Sequence, residues 1–242
     1  MHLSDQYIWM FWSLFSLLPW LLLFLAFPKQ RRIMWRASLW TMPFGLTEIL
    51  FVPTYWDPPT AFGRSAPYGN GFDVESLIFS FGIGGIAVVL YNVLTGQTLQ
   101  PVPVRERLGH RHRYHYLALA APFIVFPPLY LVGWNPIYPG IVALFIGAFA
   151  TMLCRPDLKK KTWIGGLLFL IYYQLFLLAV QWASPGYIER VWNLDALTGI
   201  RIFGAPIEEL LFAIGFGTYW AGVYEHWTWT RLHGAHKSRH AA

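Results

Sequence analysis

Mostly apolar windows, about the 18 to 22 residues needed to cross hydrocarbon as a helix, recur along this chain at residues 7–27, 34–53, 74–94, 116–132, 139–153, 163–182 and 206–224. Polar and basic segments separate them. The pattern predicts an all-α integral membrane protein with seven transmembrane helices. The first window has neither a basic segment before it nor a small-residue cleavage site after it, so it reads as a retained helix. No strand pattern is evident.

Cytoplasmic loops collect Lys and Arg, which gives a separate test of the topology. Lys29, Arg31, Arg32 and Arg36 follow the first window. Arg105, Arg107, Arg111 and Arg113 follow the third, and Arg155, Lys159, Lys160 and Lys161 follow the fifth. Arg231, Lys237 and Arg239 lie in the tail. Of the 18 basic residues, only Arg64, Arg190 and Arg201 fall on the other side. This partition places the N-terminus outside and the C-terminus in the cytoplasm, and predicts a multi-pass protein of the cell membrane. Composition agrees: 56% of residues are hydrophobic and 12% charged, a balance that excludes an ordinary soluble domain. The net charge of +6 is confined to loops beside the windows, which favours anionic lipid over nucleic acid as its partner.

Two carboxylates open the last window, in Gly204-Ala205-Pro206-Ile207-Glu208-Glu209-Leu210-Leu211-Phe212. Ionisable groups at membrane depth point to function. A degraded copy, Asp73-Val74-Glu75-Ser76-Leu77-Ile78-Phe79, sets Glu75 against Glu208, Ser76 against Glu209 and Phe79 against Phe212. The same alignment pairs Tyr91 with Tyr224 and brings together the basic loops after the first and fifth windows. The chain therefore reads as a 3+1+3 tandem parallel repeat. Residues 1–114 form the first three-helix unit, 115–135 a linking helix, and 136–242 the second unit and basic tail. Ligand sites in duplicated bundles tend to form where the halves meet.

A long external loop leads into each acidic helix, at residues 54–73 and 183–205. Trp56-Asp57 and Trp192-Asn193 hold similar stations in them. Pro206 suits a first helical turn, and that turn favours a carboxylate through the helix dipole. The dipole accounts for one Glu better than for two, because adjacent buried anions repel and each loses hydration. Burial beside a second carboxylate can instead keep one member protonated, as a proton donor facing an apolar space. Glu75 reads equally as a hydrogen-bonding partner, a second acid or a relic. Glu48 lies in line with Gln181 and is a candidate for the same polar pocket as Glu75. Glu225 and His226 read as a solvated pair at the cytoplasmic boundary. Seven histidines lie in tails or in the loop after the third window and His226 stands by itself, so no metal site is expected. No phosphate loop or dinucleotide fingerprint is present, and no cofactor is expected. All five lysines fall outside the windows, which excludes an opsin-type Schiff base in the last one.

The run from Trp192-Asn193 through Gly204 to Pro206-Ile207-Glu208-Glu209 and Phe212 resembles the lycopene cyclase domain of the non-flavin, membrane-embedded carotenoid cyclases, in their fused tandem form. The resemblance implies redox-neutral, cofactor-free ring closure at the ends of a linear carotenoid, an isomerase reaction. It implies Glu208 or Glu209 as the acid that protonates the terminal alkene, with the other carboxylate stabilising or deprotonating the cation, and Glu75 as a further catalytic candidate. Tyr173, Trp182, Trp192, Phe212 and Tyr219 form the aromatic pool for cation–π stabilisation, with Asn193, Trp56 and Glu48 as other substrate-binding candidates. The first repeat lacks the Pro and one Glu of the motif. If only the second half is active, a linear substrate must turn around to be cyclised twice. A carotenoid- or lipid-binding protein, or a proton-coupled transporter, is the alternative, and either reading is compatible with a homo-oligomer.

Overall fold

The computed structural model describes residues 4–63 and 71–233; Arg64 and the basic tail positions Lys237 and Arg239 lie outside them. The chain is mostly helical. Helices α1 (Asp5–Ala26) and α2 (Arg31–Thr41) precede α3 (Val74–Thr95), and a short α4 (Val104–Arg107) leads to α5 (His115–Tyr130). Helices α6 (Ile137–Cys154) and α7 (Lys159–Ala183) are followed by short α8 (Tyr187–Val191), then α9 (Ile207–Ala221) and α10 (Val223–Thr228). Among the described residues, four segments are long and apolar enough to cross a membrane: Asp5–Ala26, Val74–Thr95, Ile137–Cys154 and Pro156–Ala183.

The three remaining windows form shorter helices. The window at 34–53 changes character after Thr41, where Met42–Leu50 continues as a 3-10 helix with Pro43 in its first turn, a position where a missing N–H is tolerated. Gly45 lets this segment lie directly on α3, since a Cβ there would sit 2.6 Å from the Leu77 backbone nitrogen. Helix α5 contains Pro122, Pro127 and Pro128 and spans 16 residues. Helix α9 spans 15 residues, ending at Gly222 before α10 begins.

Helix α3 packs against α1 and α2, while α9 packs against α6 and α7; α3 also touches α7 and α9. Close approach is built from small side chains: a Cβ on Gly84 would fall 1.8 Å from Thr41 Oγ1. Across the centre, the Trp220 indole donates to the Gly84 carbonyl at 3.2 Å. Aromatic and aliphatic side chains of α1, α3, α6, α7 and α9 share one core.

Contrary to the sequence expectation, short strands are present. β1 (Thr98–Pro101) pairs antiparallel with β4 (Thr230–His233), joining the loop after α3 to the C-terminal segment. β2 (Arg201–Ile202) and β3 (Ala205–Pro206) form a tight hairpin. Its two turn residues, Phe203 and Gly204, have φ of 50° and 83°, as a two-residue turn with the right twist requires. Ladders this short fall below the length at which alternation can be read from sequence.

Two charge readings are corrected. Glu225 and His226 are buried, as is Lys161, which lies in the first turn of α7 rather than in a solvated loop. Lys161 Nζ meets Glu225 Oε1 at 2.6 Å, with both side chains 0% exposed. Desolvation of either charge alone is prohibitive, so the two enter the interior as a pair.

Candidate active site

The loops that lead into α3 and α9 converge above the bundle. Trp56 and Trp192 form an isolated antiparallel bridge, with Asp57 N donating to the Val191 carbonyl at 2.8 Å and Asn193 N to the Tyr55 carbonyl at 3.0 Å. The two indole rings lie 5.2 Å apart. Below them is a cavity of about 350 Å³, lined mainly by aromatic and aliphatic side chains from both halves of the chain. Its volume falls at the lower end of the range for small-molecule pockets.

Glu209 is the acidic residue of α9 that reaches this cavity. Its Oε1 accepts from the Trp192 indole at 2.7 Å and from the Tyr55 hydroxyl in a short contact. Its Oε2 meets the Tyr173 hydroxyl at 2.6 Å. An indole N–H can only donate, so Oε1 is an acceptor in any protonation state. A carboxylic proton would therefore sit on Oε2, against the Tyr173 oxygen. Burial, reinforced by the Glu209 carboxylate beside it, holds the Tyr55 phenol well above its ordinary range. Tyr55 thus stays a hydrogen-bond donor at neutral pH.

Glu208, one residue away, faces elsewhere. Successive helical residues diverge by about 100°, which turns its carboxylate toward the loop, where Oε1 accepts from Thr198 N at 2.9 Å and from the Tyr138 hydroxyl at 2.9 Å. Glu75 does the equivalent in the first half: its Oε1 accepts from Ala61 N at 2.6 Å. Each ties the backbone of its own preceding loop to a helix start. Neither lines the cavity, whereas Ser76, aligned with Glu209, does. Asp73 caps α3 by accepting from Ser76 N at 2.6 Å.

Of the other sequence candidates, Trp192, Tyr173, Phe212, Tyr219, Trp56 and Glu48 line the cavity. Glu48 and Glu75 therefore do not share a pocket. Asn193 instead donates to the Thr54 carbonyl at 3.2 Å, fixing the loop bridge. Trp182 is 86% exposed near the end of α7, on the outer side of the helix from Tyr173, and has no place at the cavity. Gln181, in line with Glu48, donates to the Phe203 carbonyl at 3.0 Å in the β2–β3 turn.

Sequence reasoning missed Tyr55, Phe216 and Trp220. Phe212, Phe216 and Trp220 stand one helical turn apart on α9, stacking at 5.8 Å and 5.7 Å with interplanar angles of 21° and 10°. Their i, i+4 spacing was the available signal. Tyr55 gave none beyond its place beside Trp56. The resulting arrangement sets the Glu209 carboxyl group, with the Trp192 indole and Tyr55 hydroxyl on one oxygen and the Tyr173 hydroxyl on the other, against a wall of aromatic faces. Such a site can hold a proton next to an apolar substrate and stabilise positive charge that develops there.

No curated protein and no solved structure matches the chain. A family model described as Lycopene cyclase matches residues 135–227, a stretch that contains Tyr173, Trp192, Glu209 and the aromatic ladder of α9. Over these residues, the chain is similar to the lycopene cyclase domain family.

Proposed function

We propose that the chain is a redox-neutral carotenoid cyclase, an isomerase that closes a ring at the end of a linear, lycopene-type polyene. The observation that carries this reading is the Glu209 carboxyl group, held by Tyr55, Trp192 and Tyr173 at the edge of a cavity lined by aromatic side chains. In the proposed reaction, the proton on Oε2 passes to the terminal alkene, directly or through the Tyr173 hydroxyl. The internal double bond attacks the resulting cation and forms the ring bond. A ring C–H then returns a proton to the carboxylate, so electrons and atoms balance without a redox cofactor.

Phe212, Phe216 and Trp220 face the cation, each contributing about 0.5 to 2 kcal/mol in a desolvated site. Glu208 and Glu75 are loop tethers in this reading rather than acids. The cavity accommodates an end of the polyene, while the remainder extends into lipid. A single acid site implies that a second ring requires the substrate to reverse.

The seven-helix, 3+1+3 plan belongs to the same proposal, with the N-terminus outside and the protein in the cell membrane. It is supported by the like packing of α3 on α1 and α2 and of α9 on α6 and α7, and by the parallel tethers of Glu75 and Glu208. The test is expression in a bacterial host that accumulates lycopene, followed by chromatography of the pigments. Cyclic carotenoids are expected; unchanged lycopene despite good membrane expression would overturn the proposal.

A further inference from the structure

At the opposite end of the bundle from Glu209, three donors from separate segments come together. His112 lies in the 3-10 turn before α5, His115 is the first residue of α5, and Cys154 is the last residue of α6. Cys154 Sγ lies 3.3 Å from His115 Nδ1 and 3.5 Å from His112 Nδ1. The ligand atoms of all three residues fall within 4.8 Å of one another. We propose that His112, His115 and Cys154 form a metal site for a d10 ion with nitrogen and sulfur preference, Zn2+ or Cu+.

The two sulfur–nitrogen distances fit the chemistry. Zinc bonds of about 2.3 Å to sulfur and 2.0–2.1 Å to nitrogen at tetrahedral angles place sulfur and nitrogen about 3.5 Å apart. A thiolate with two imidazoles selects Zn2+ or Cu+ over Mg2+ or Ca2+. A thiol carries a single hydrogen, which can satisfy one facing imidazole lone pair at most, whereas an ion satisfies all three donors together.

The surroundings orient the ligands as bound metal requires. His115 Nε2 lies 3.0 Å from the His226 carbonyl; a carbonyl only accepts, so Nε2 carries the hydrogen and Nδ1 turns its lone pair toward the sulfur. Such outer hydrogen bonds fix the tautomer of metal-bound histidines. The His115 ring is clamped by Trp229, stacked at 3.7 Å, and by His226 at 5.0 Å. Its neighbour Arg155 is occupied, with Asp157 accepting at 2.8 Å and 2.7 Å and the Thr230 carbonyl at 2.8 Å. His115 and Cys154 are buried and His112 is half-buried, so the cluster meets solvent on the His112 side. An ion here would join the loop after α3, the start of α5 and the end of α6 beside the C-terminal segment.

The full chain, purified in detergent through a non-histidine tag, should contain stoichiometric zinc or copper by elemental analysis. Cobalt exchange should add a thiolate-to-metal charge-transfer band in the near ultraviolet. Cys154→Ser should abolish that band, and His115→Gln should lower the metal content severalfold; circular dichroism would verify that both variants remain helical. Chelation should lower the melting temperature of the wild type but not of Cys154→Ser. Sub-stoichiometric metal, or a cobalt spectrum without a thiolate band or unaltered by Cys154→Ser, would refute the site. The charge-transfer band also separates it from binding by tail histidines, which bring no sulfur.

Discussion

Glu208 and Glu209 are adjacent in sequence and share no hydrogen-bond partner: one is bound by the Thr198 backbone and Tyr138, the other by Tyr55, Trp192 and Tyr173. The motif is a pair in sequence only. The helix start separates a carboxylate that anchors a loop from a carboxylate that faces a cavity.

Different consequences follow for the two substitutions. Glu209→Gln should lower cyclisation by about 10²- to 10⁴-fold, the usual contribution of a positioned acid or base. Glu208→Gln and Glu75→Gln should retain ring formation and lower thermal stability instead. Pigment chromatography alongside a melting curve of the purified protein checks both; equal loss of activity in Glu208→Gln and Glu209→Gln would refute the division.

The three hydrogen-bond partners of Glu209 are not equivalent. Tyr173→Phe removes the hydroxyl that faces Oε2 and should slow the reaction far more than Trp192→Phe, which removes a hydrogen bond to Oε1. Each hydrogen bond lost to the carboxylate formed on proton transfer corresponds to about 1.5–3 kcal/mol. Tyr55→Phe should lower the rate without altering the pH profile, because burial keeps that phenol protonated well above its ordinary range. A shifted alkaline limb in Tyr55→Phe would contradict this assignment. Single-turnover rates in detergent, measured across pH, are the readout.

Lys161 and Glu225 should tolerate joint replacement better than single replacement. Lys161→Met leaves a buried carboxylate unpaired and should destabilise the protein by about 3–5 kcal/mol, whereas Lys161→Met with Glu225→Leu should recover most of that loss. Unfolding midpoints of the two single variants and the double variant form the test.

Gly45→Ala should disturb both fold and site. The added methyl would press on the α3 backbone at Ser76 and Leu77, and overpacking of this kind costs about 1–3 kcal/mol. Ser76 and Gly45 both line the cavity, so the rate should fall together with the melting temperature. Ser76→Ala, which leaves the backbone in place, should affect stability little.

The apolar windows at 7–27, 74–94 and 139–153 could be read from sequence because long helices with few charges leave a strong signal. The break at Met42 could not, since it depends on where Gly45 meets α3. Glu209 was legible as an anomaly of charge, and Tyr173, Trp192 and Phe212 as aromatic neighbours. Tyr55 was not, because its role arises only when two loops far apart in sequence pair. Trp182 misled: an exposed aromatic near a helix end and a cavity aromatic have the same letter and differ only in which side of α7 they occupy. Lys161 and Glu225 misled in the same way, since each looks like a boundary charge until the other is placed beside it.

The Trp56–Trp192 bridge has a genetic consequence. It sets Tyr55, from the first half of the chain, onto a carboxylate from the second, so neither half holds a finished site. A gene cut between α5 and α6 would encode two fragments inert by themselves. Their co-expression should restore pigment formation only as far as the loops meet again, and a charge introduced at Trp56 should silence the half that carries Glu209 without altering it.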